Sequence, residues 1–326
     1  MPQKNRLSDS GRYGGWRKQS PDQRDFRYAP PNHVMAALPP AVDLTSGMGQ
    51  VLDQSSLGSC GAHAVDSLIM FDQQKQGMPV TSSSRLLIYY FTRVIMGTVN
   101  EDSGVDNRTL LQALNKYGFC DESLWPYDIS KFTQRPPDAA IQAASGSLVQ
   151  NYASVRQDLA TMKGTIASGF PFLYGFTVYA SFESDQVART GIVPMPGRSE
   201  QVYGGHDVVI CGYDDHTQRF KFKNSWNGWG ENNSGYGYFP YAFATNPDLA
   251  SDFWVINAIP SVTPVPPPPP PPPPPSPRRV FGLSFARPIP KGRRITFASP
   301  VDVPAGDYDV FPAGTRQTIA DVETEE

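Results

Sequence analysis

The sequence has little cysteine, no long apolar stretch and no marked excess of charge of either sign. Its 326 residues include three cysteines and carry a formal net charge of -3. Three cysteines allow at most one internal disulfide, which a chain of this length does not need in order to fold. We therefore expect a reducing compartment and at least one free thiol.

No segment approaches the roughly 18 apolar residues that a membrane helix needs, and no apolar segment follows the first basic residues. We therefore expect neither a membrane span nor a secretory signal, which favours a cytoplasmic protein or export by a signal-independent route. The charge balance lacks the basic excess of a nucleic-acid-binding protein, so no nucleic acid partner is expected. With 39% hydrophobic residues, the composition excludes a disordered chain.

The prolines divide the chain into parts. Ten of the 33 prolines are consecutive at positions 266–275, and such a run forms a polyproline II rod of about 31 Å at roughly 3.1 Å per residue. The predicted parts are a leader at 1–37, a folded domain at 38–260, a polyproline linker at 261–277 and a small β-rich module at 278–326. We interpret the linker as a spacer, with a proline-recognising or assembly partner for residues 261–326 as the alternative.

The leader differs in charge from the domain that follows it. Basic residues outnumber acidic ones in residues 1–28, whereas acidic residues predominate in residues 29–277. The two segments can therefore attract one another, and the leader has no periodic apolar pattern that would give it a core of its own. These features make the leader a candidate autoinhibitory segment that lies in or near an active site.

Helical patterns come first along the folded domain, and short β-rich runs come second. The first predicted helix has one buried apolar stripe and ends at Gly77, before Pro79. The predicted helices are 59–76, 83–96, 106–117 and 155–168, and the predicted strands are 172–179, 207–213, 219–224, 236–241 and 253–258. Helices followed by strands are typical of an α+β fold.

The segment QSSLGSCGAH at positions 54–63 is the most informative for chemistry. It places Cys60 in the first turn of a predicted helix, where unpaired N–H groups and the helix dipole lower the pKa of a thiol. The side-chain amide of Gln54, together with the Cys60 N–H, could hold the negative oxygen of a tetrahedral intermediate. These neighbours favour a nucleophilic Cys60 over a buried structural thiol.

A nucleophilic thiolate also needs an imidazole, and His206 is the best placed of the four histidines. Gly205 precedes it and leaves room for a substrate backbone. Asn224 ends the next β-run, where its side-chain oxygen could orient the imidazole, and Trp226 would shield that hydrogen bond from water.

His63 is the rival to His206, because it lies one helical turn from Cys60. It could act as a base or, in a Cys-x-x-His pair, as a metal ligand. A convincing metal site needs more ligands at matching spacings. We therefore predict no metal.

The order Gln54, Cys60, His206 and Asn224, with these flanking residues, resembles the papain and cathepsin family of cysteine peptidases. In that family the histidine and asparagine follow the nucleophile by about 130 to 150 residues, and here His206 lies within that distance and Asn224 slightly beyond it. The resemblance covers residues 38–259. It implies a papain-like fold of two lobes, a helical left lobe and a β-rich right lobe, with the cleft between them.

The resemblance also implies a role for each matching residue. The implied catalytic residues are Cys60 as nucleophile, His206 as general acid and base, Asn224 as the residue that orients the imidazole, and Gln54 as the oxyanion donor. Gly104 matches the glycine-bearing loop that pairs with a substrate backbone. The candidate substrate-binding residues are Gly104, Gly205 and Trp226.

Three positions depart from the family pattern. Gly61 follows the nucleophile where tryptophan is usual, and Leu57 stands where a cysteine would form a disulfide. Asp207 follows His206 where a small apolar residue is usual. None of these departures removes a catalytic group.

We therefore predict a cysteine-type endopeptidase that hydrolyses protein or peptide substrates through a thioester on Cys60, with no metal or organic cofactor. Two alternatives remain open. Another thiol hydrolase, such as a peptidoglycan amidase or a transpeptidase, uses the same pair of groups. An inactive papain-like scaffold that serves in binding or assembly is suggested by Gly61, Asp207 and the long segments at both ends.

Overall fold

A computed structural model of the chain describes residues 15–258 and the short segments 309–310 and 317–318. The chain divides into two compact units, Met1–Val265 and Pro266–Glu326. Residues 1–14 of the predicted leader, the whole predicted polyproline linker at 261–277 and most of the C-terminal module lie outside the described residues. In the part of the chain that is described, no helix has the length and apolar character to cross a membrane.

The helices of the first unit are short except for three that follow one another in the chain. The eight α-helices among residues 15–258 are α1 (Asn32–Met35), α2 (Cys60–Lys75), α3 (Arg85–Met96), α4 (Asn107–Tyr117), α5 (Asp138–Ser145), α6 (Leu159–Ala167), α7 (Asp185–Thr190) and α8 (Tyr241–Ala244). Asp106 caps α4 by accepting a hydrogen bond from the Thr109 N–H at 2.9 Å, and Gly118 follows its last residue.

The strands of the first unit form one antiparallel sheet of seven strands. They are β1 (Ala41–Asp43), β2 (Asn151–Ser154), β3 (Phe172–Tyr179), β4 (Val202–Asp214), β5 (Arg219–Lys223), β6 (Tyr236–Pro240) and β7 (Ala250–Ala258). The strand order is β2, β7, β3, β4, β5, β6, and β1 pairs with the far end of β4. The long strand β4 is therefore central to the sheet.

Both faces of the sheet are covered by apolar side chains, because successive residues of a strand point to opposite faces. On β4, Val209 and Cys211 enter a cluster with the residues of α2, α3 and α4. Val208 and Ile210 enter a second cluster, which is rich in phenylalanine, on the other face. The helical side and the β-rich side thus form two cores that meet at β4, as the α+β prediction requires.

Helix α2 is buried on more sides than the sequence pattern predicts. All residues from Cys60 to Met70 are buried, including Asp66, whose carboxylate accepts the Ser83 N–H at 2.6 Å. The prediction of a single buried stripe is therefore wrong. The reason is that α2 packs against α3 on one side and against β3 and β4 on the other.

Most of the predicted elements exist with end points shifted by a few residues. Strand β3 has the predicted bounds, whereas β4 begins five residues earlier than predicted, at Val202. The elements that the sequence pattern missed are α1, α5, α7, α8, β1 and β2. In the second unit, Asp309–Val310 pairs antiparallel with Gln317–Thr318, inside the segment 278–326 that the sequence predicts to be a small β-rich module.

The cap of α4 matters for the site described below, because Asn107 follows it directly. Replacing Asp106 with alanine removes the hydrogen bond to the Thr109 N–H. We expect Asp106→Ala to lower the free energy of unfolding by about 1 kcal/mol, measured from the urea midpoint. The control is Asp138→Ala at the start of α5, whose side chain is 88% exposed and should contribute no more than about 0.5 kcal/mol. Equal effects of the two substitutions would contradict this account.

Candidate active site

Cys60 is the first residue of α2, and its side chain is fully buried. Backbone N–H groups of Gly15, Gly61 and Asp207 donate hydrogen bonds to its sulfur. Burial nevertheless raises the pKa of the Cys60 thiol to about 12, and the charge of the Asp207 carboxyl is the second cause. The thiol is therefore protonated at neutral pH in this arrangement of the chain.

The prediction of a lowered pKa for Cys60 is wrong for this arrangement, although its position at the helix terminus is as predicted. Donated hydrogen bonds and the helix terminus favour a thiolate only if its loss of hydration is small. Here Gly15 of the leader lies against the sulfur. A negative charge on the sulfur would have to form without hydration by water. The effect of this lost hydration on the pKa is larger than that of the donated hydrogen bonds.

His206 and Asn224 are joined by a hydrogen bond of 2.8 Å between His206 Nε2 and Asn224 Oδ1. The Ser225 N–H also donates to Asn224 Oδ1, at 2.8 Å, which identifies this atom as the amide oxygen. Nε2 must therefore carry a proton and donate it to Asn224. In a neutral imidazole the other nitrogen, Nδ1, then has the lone pair that can accept a proton.

Aromatic rings enclose this hydrogen bond. The Trp226 ring stacks on the His206 ring with centroids 4.7 Å apart, and Phe176 approaches the same ring edge-on at 5.6 Å. His206, Asn224 and Trp226 are all buried. A hydrogen bond in such surroundings does not compete with water, so it fixes the orientation of the imidazole.

The nucleophile lies beside β4, the strand that carries the imidazole. The sulfur of Cys60 accepts the N–H of Asp207, which is the residue after His206. The two candidate catalytic residues are far apart in the sequence, yet the thiol lies beside the chain that carries the imidazole.

Gln54 is fully buried and connects the loop before α2 with the loop after β5. Its Nε2 donates to the Leu57 carbonyl at 3.0 Å. Its Oε1 accepts the Ser225 hydroxyl at 2.5 Å and the Trp226 indole N–H at 3.3 Å. These contacts hold the amide group in one orientation close to the start of α2.

Gly104 and Gly205 lie on the two sides of a groove that residues 15–17 of the leader occupy. The Val105 N–H donates to the Gly15 carbonyl at 2.7 Å, and the Trp16 N–H donates to the Gly205 carbonyl at 3.2 Å. A Cβ atom at Gly104 would lie 2.2 Å from the Gly15 oxygen, and one at Gly205 would lie 2.3 Å from the Trp16 oxygen. Both positions therefore need glycine for a peptide backbone to approach this closely.

Further contacts attach the leader to the folded domain. The Gln19 N–H donates to the Asp252 carboxylate at 2.9 Å, and the Gln19 side-chain oxygen accepts the Arg108 N–H at 2.9 Å. Arg108 also pairs with Asp25 through two hydrogen bonds of 2.8 and 2.6 Å. Beyond these, the Tyr28 N–H donates to the carbonyl of Ser154 on β2.

Asp207 and Gly61, two of the departures from the family pattern, depend on each other. The Asp207 carboxyl is only 1% exposed, and Asn107 Nδ2 donates to its Oδ1 at 3.1 Å. A Cβ atom at Gly61 would lie 3.4 Å from Asp207 Oδ2 and 3.0 Å from Val105. A large side chain at position 61 would therefore occupy the space of this carboxyl. Burial raises the pKa of Asp207 to about 8.

His63, the rival candidate base, has both ring nitrogens in structural contacts. Nδ1 lies 3.0 Å from the Ser59 carbonyl, and Nε2 lies 3.0 Å from the Arg85 guanidinium. Burial first, and then the charge of Arg85, lowers the pKa of His63 to about 3. Its Nε2 lone pair is taken up by Arg85, so His63 is not available as a base for Cys60.

The sequence reasoning missed the role of Asp102, although this residue precedes the predicted glycine loop. Its carboxylate accepts the Gly58 N–H at 3.0 Å and the Tyr89 hydroxyl at 2.5 Å. The Tyr89 oxygen in turn accepts the Gly104 N–H at 3.1 Å. Asp102 thus joins the loop before the nucleophile to the loop that contacts the leader.

Comparisons with known proteins agree with this geometry. The family model described as papain family cysteine protease matches residues 38–251. An uncharacterized peptidase C1-like protein of Acanthamoeba polyphaga mimivirus is 40% identical over 218 residues, which are 64% of this chain and 70% of that protein.

Solved structures show the same similarity. The crystal structure of xylellain, a cysteine protease from Xylella fastidiosa, has 36% sequence identity and a TM-score of 0.71, and the match covers 78% of this chain and 98% of that one. Digestive procathepsin L 3 of Tenebrio molitor is 19% identical with a TM-score of 0.56, covering 71% of this chain and 73% of that one, which shows the fold alone.

These matches agree with the two cores that meet at β4 and with a thiol that lies beside the strand carrying the imidazole. The chain is a cysteine-type peptidase and belongs to the papain family of cysteine proteases.

Proposed function

We propose that the protein is an endopeptidase that cleaves polypeptides through a thioester on Cys60, with His206 as general acid and base. The observation that carries this proposal is the orientation of His206. Its Nε2 donates to Asn224 at 2.8 Å, which leaves Nδ1 as the nitrogen that can take the thiol proton. The groove beside Gly205 already accommodates an extended peptide backbone, which favours a polypeptide substrate.

The proposed reaction begins with transfer of the Cys60 proton to His206 Nδ1. The sulfur then attacks the substrate carbonyl carbon, and the negative oxygen that forms is stabilised by the Cys60 N–H and the Gln54 amide. The C–N bond breaks as His206 returns the proton to the leaving amine. Water, deprotonated by His206, then hydrolyses the thioester.

We also propose that the leader is autoinhibitory. Gly15 presents its N–H group to the Cys60 sulfur, while its carbonyl accepts the Val105 N–H at 2.7 Å. Because the Gly15 carbonyl is bound to the Val105 N–H, its carbon is not positioned for attack by the thiol. The leader therefore occupies the groove without being positioned for cleavage, and it keeps the thiol protonated.

The nucleophile is tested by Cys60→Ala in the full chain. We expect cleavage of an unfolded protein to fall at least a thousandfold, since no other group can form the thioester. The matched control is Cys120→Ala, because Cys120 is also buried but lies in a separate cluster between α3, α4 and α5. Cleavage products are quantified by mass spectrometry, with peptidoglycan fragments as a parallel substrate.

Three outcomes would contradict the proposal. Full activity of Cys60→Ala would exclude Cys60 as the nucleophile. Turnover of the peptidoglycan fragments alone would favour the amidase or transpeptidase alternative. No turnover of either substrate, even after the leader is displaced, would favour the inactive scaffold.

The autoinhibitory leader is tested by Gly15→Ala. A Cβ atom at Gly15 would lie 2.0 Å from the Gly58 carbonyl oxygen, so the leader has to leave the groove. We expect kcat/KM for a peptide substrate to rise at least tenfold, about 1.4 kcal/mol. Trp16→Ala, which introduces no clash, should change activity in the same direction. The control is Gly197→Ala, whose Cβ would have its nearest neighbour at 3.8 Å.

The same variants give a pH-dependent readout of the thiol. With the leader in place, the pKa of Cys60 is about 12, so alkylation by iodoacetamide should increase with pH up to that value. In Gly15→Ala the increase should occur at lower pH, because a solvated thiol loses its proton more readily. The parent chain and Gly15→Ala are compared as folded proteins. Identical pH profiles of alkylation, together with equal peptidase activity, would show that the leader does not control the thiol.

A further inference from the structure

One carboxylate joins the loop before Cys60 to the loop that carries Gly104. Asp102 Oδ1 accepts the Gly58 N–H at 3.0 Å and the Tyr89 hydroxyl at 2.5 Å. The Tyr89 oxygen then accepts the Gly104 N–H at 3.1 Å. We name Gly58, Asp102, Tyr89 and Gly104 the clasp. These three hydrogen bonds join atoms of the folded domain alone, so they do not depend on the leader.

The first end of the clasp lies close to the proposed oxyanion donor. Gly58 precedes Cys60 by two residues, and Cys60 is the first residue of α2. A Cβ atom at Gly58 would lie 2.9 Å from Asp102 Oδ1, so the carboxylate approaches this closely because position 58 has no side chain. Holding the Gly58 peptide in place therefore limits the directions in which the Cys60 N–H can point.

The other end of the clasp lies beside the groove. Because Gly104 gives its N–H to Tyr89, the next residue, Val105, presents its backbone groups to the groove. The Val105 N–H donates to the Gly15 carbonyl at 2.7 Å, and the Val105 carbonyl accepts the Arg17 N–H at 2.9 Å. Val105 is thus the residue that pairs with an extended backbone on this side, and the Tyr89 hydroxyl holds the peptide that leads into it.

Arg93 keeps Tyr89 and the neighbouring loop in place. Its side chain is fully buried, and its guanidinium carbon lies 4.1 Å from the centroid of the Tyr89 ring. Its Nη1 donates to the carbonyls of Val99 at 2.6 Å and Glu101 at 3.1 Å. Burial first, and then the charge of Asp102, raises the pKa of Tyr89. The hydroxyl therefore keeps the proton that it donates to Asp102.

The position of the clasp matches one of the departures from the family pattern. Leu57 stands where a cysteine would form a disulfide, and its side chain packs into the apolar core instead. The loop before the nucleophile therefore lacks a covalent link at this residue. The next residue, Gly58, is held by the carboxylate of Asp102, and hydrogen bonds to a charged group are stronger than those between neutral groups.

We propose that Asp102 is a positioning residue that aligns the proposed oxyanion donor, the Cys60 N–H, with a substrate backbone paired at Val105. This inference rests on the proposed peptidase function and deepens it. The clasp acts on the backbone of both loops, whereas its hydrogen bonds do not include the sulfur. Its loss should therefore weaken binding of the tetrahedral intermediate and leave the reactivity of the free thiol unchanged.

Kinetics of full-chain variants in the Gly15→Ala background test the proposal. Asp102→Ala should lower kcat/KM for a peptide about thirtyfold, because both loops lose their common acceptor. Asp102→Asn keeps an oxygen at the atom that accepts both hydrogen bonds, and it should stay within about threefold of the background. The control is Asp128→Ala, whose carboxylate accepts the Ser130 N–H at 3.0 Å. Full activity of Asp102→Ala, or equal losses in Asp102→Ala and Asp102→Asn, would overturn the proposal.

A double-mutant cycle tests whether the two ends of the clasp act together. Tyr89→Phe removes only the hydroxyl between Asp102 and Gly104, and it should lower kcat/KM about tenfold. Adding Tyr89→Phe to Asp102→Ala should cause no further loss, because both act through one chain of hydrogen bonds. The control is Tyr213→Phe, which removes a buried hydroxyl that donates to the Pro39 carbonyl at 2.7 Å. Losses that multiply in the double variant would overturn the proposal.

A peptide aldehyde separates failure of the clasp from failure of the peptidase function. The Cys60 sulfur adds to the aldehyde carbon and the thiol proton moves to the aldehyde oxygen, so no peptide bond has to break. In the Gly15→Ala background, Asp102→Ala should weaken aldehyde binding about tenfold. Its rate of alkylation by iodoacetamide, which needs only the thiol, should change less than about twofold.

The urea midpoint of each variant shows whether it is folded. If Asp102→Ala does not fold, Tyr89→Phe undergoes the same aldehyde and iodoacetamide measurements with the same expected results. Weaker aldehyde binding, without cleavage of peptides by any variant, would support the clasp and refute the proposed function. Unchanged aldehyde binding in the folded variant, with peptide cleavage in the background, would refute the clasp alone.

Discussion

The arrangement of the site depends on one constraint, which is that neighbouring residues of a strand point to opposite faces of the sheet. Within β4, His206 points toward the phenylalanine-rich face of the sheet, where it contacts Phe176 and Trp226. Asp207 points toward the helical side, where it contacts Asn107. The backbone between them donates a hydrogen bond to the Cys60 sulfur. A single strand therefore carries the imidazole on one face and a carboxyl on the other, and its backbone lies next to the thiol.

The second determinant is the absence of side chains where backbones meet. Gly104 and Gly205 allow residues 15–17 to lie in the groove at hydrogen-bonding distance. Burial raises the pKa of Cys60, while the hydrogen bond from Gly15 of the leader lowers it in part. In the proposed autoinhibition, the same short segment controls both access to the groove and the reactivity of the nucleophile.

The sequence was sufficient to predict the α+β fold, the helix with Cys60 in its first turn and the pairing of His206 with an amide oxygen of Asn224. These predictions rest on local patterns, such as helix caps and strand ends, and on residue order. Other features depend on residues distant in the sequence that come together only in the fold. The pKa of Cys60 depends on Gly15, and the burial of α2 depends on its contacts with both α3 and the sheet. Asp102 carries no sequence signal of its own, because its importance comes from its contact with the loop before α2.

The central claim of this account is that Cys60 becomes acylated with help from His206. Rapid quenching of the full chain with a peptide ester, followed by peptide mapping in a mass spectrometer, tests it most directly. The account predicts a transient acyl adduct on Cys60 in the Gly15→Ala variant of the full chain. It predicts no such adduct in the double variant that also carries His206→Ala. Ester or peptide cleavage with no adduct on Cys60, or an adduct that forms equally fast without the imidazole, would contradict it.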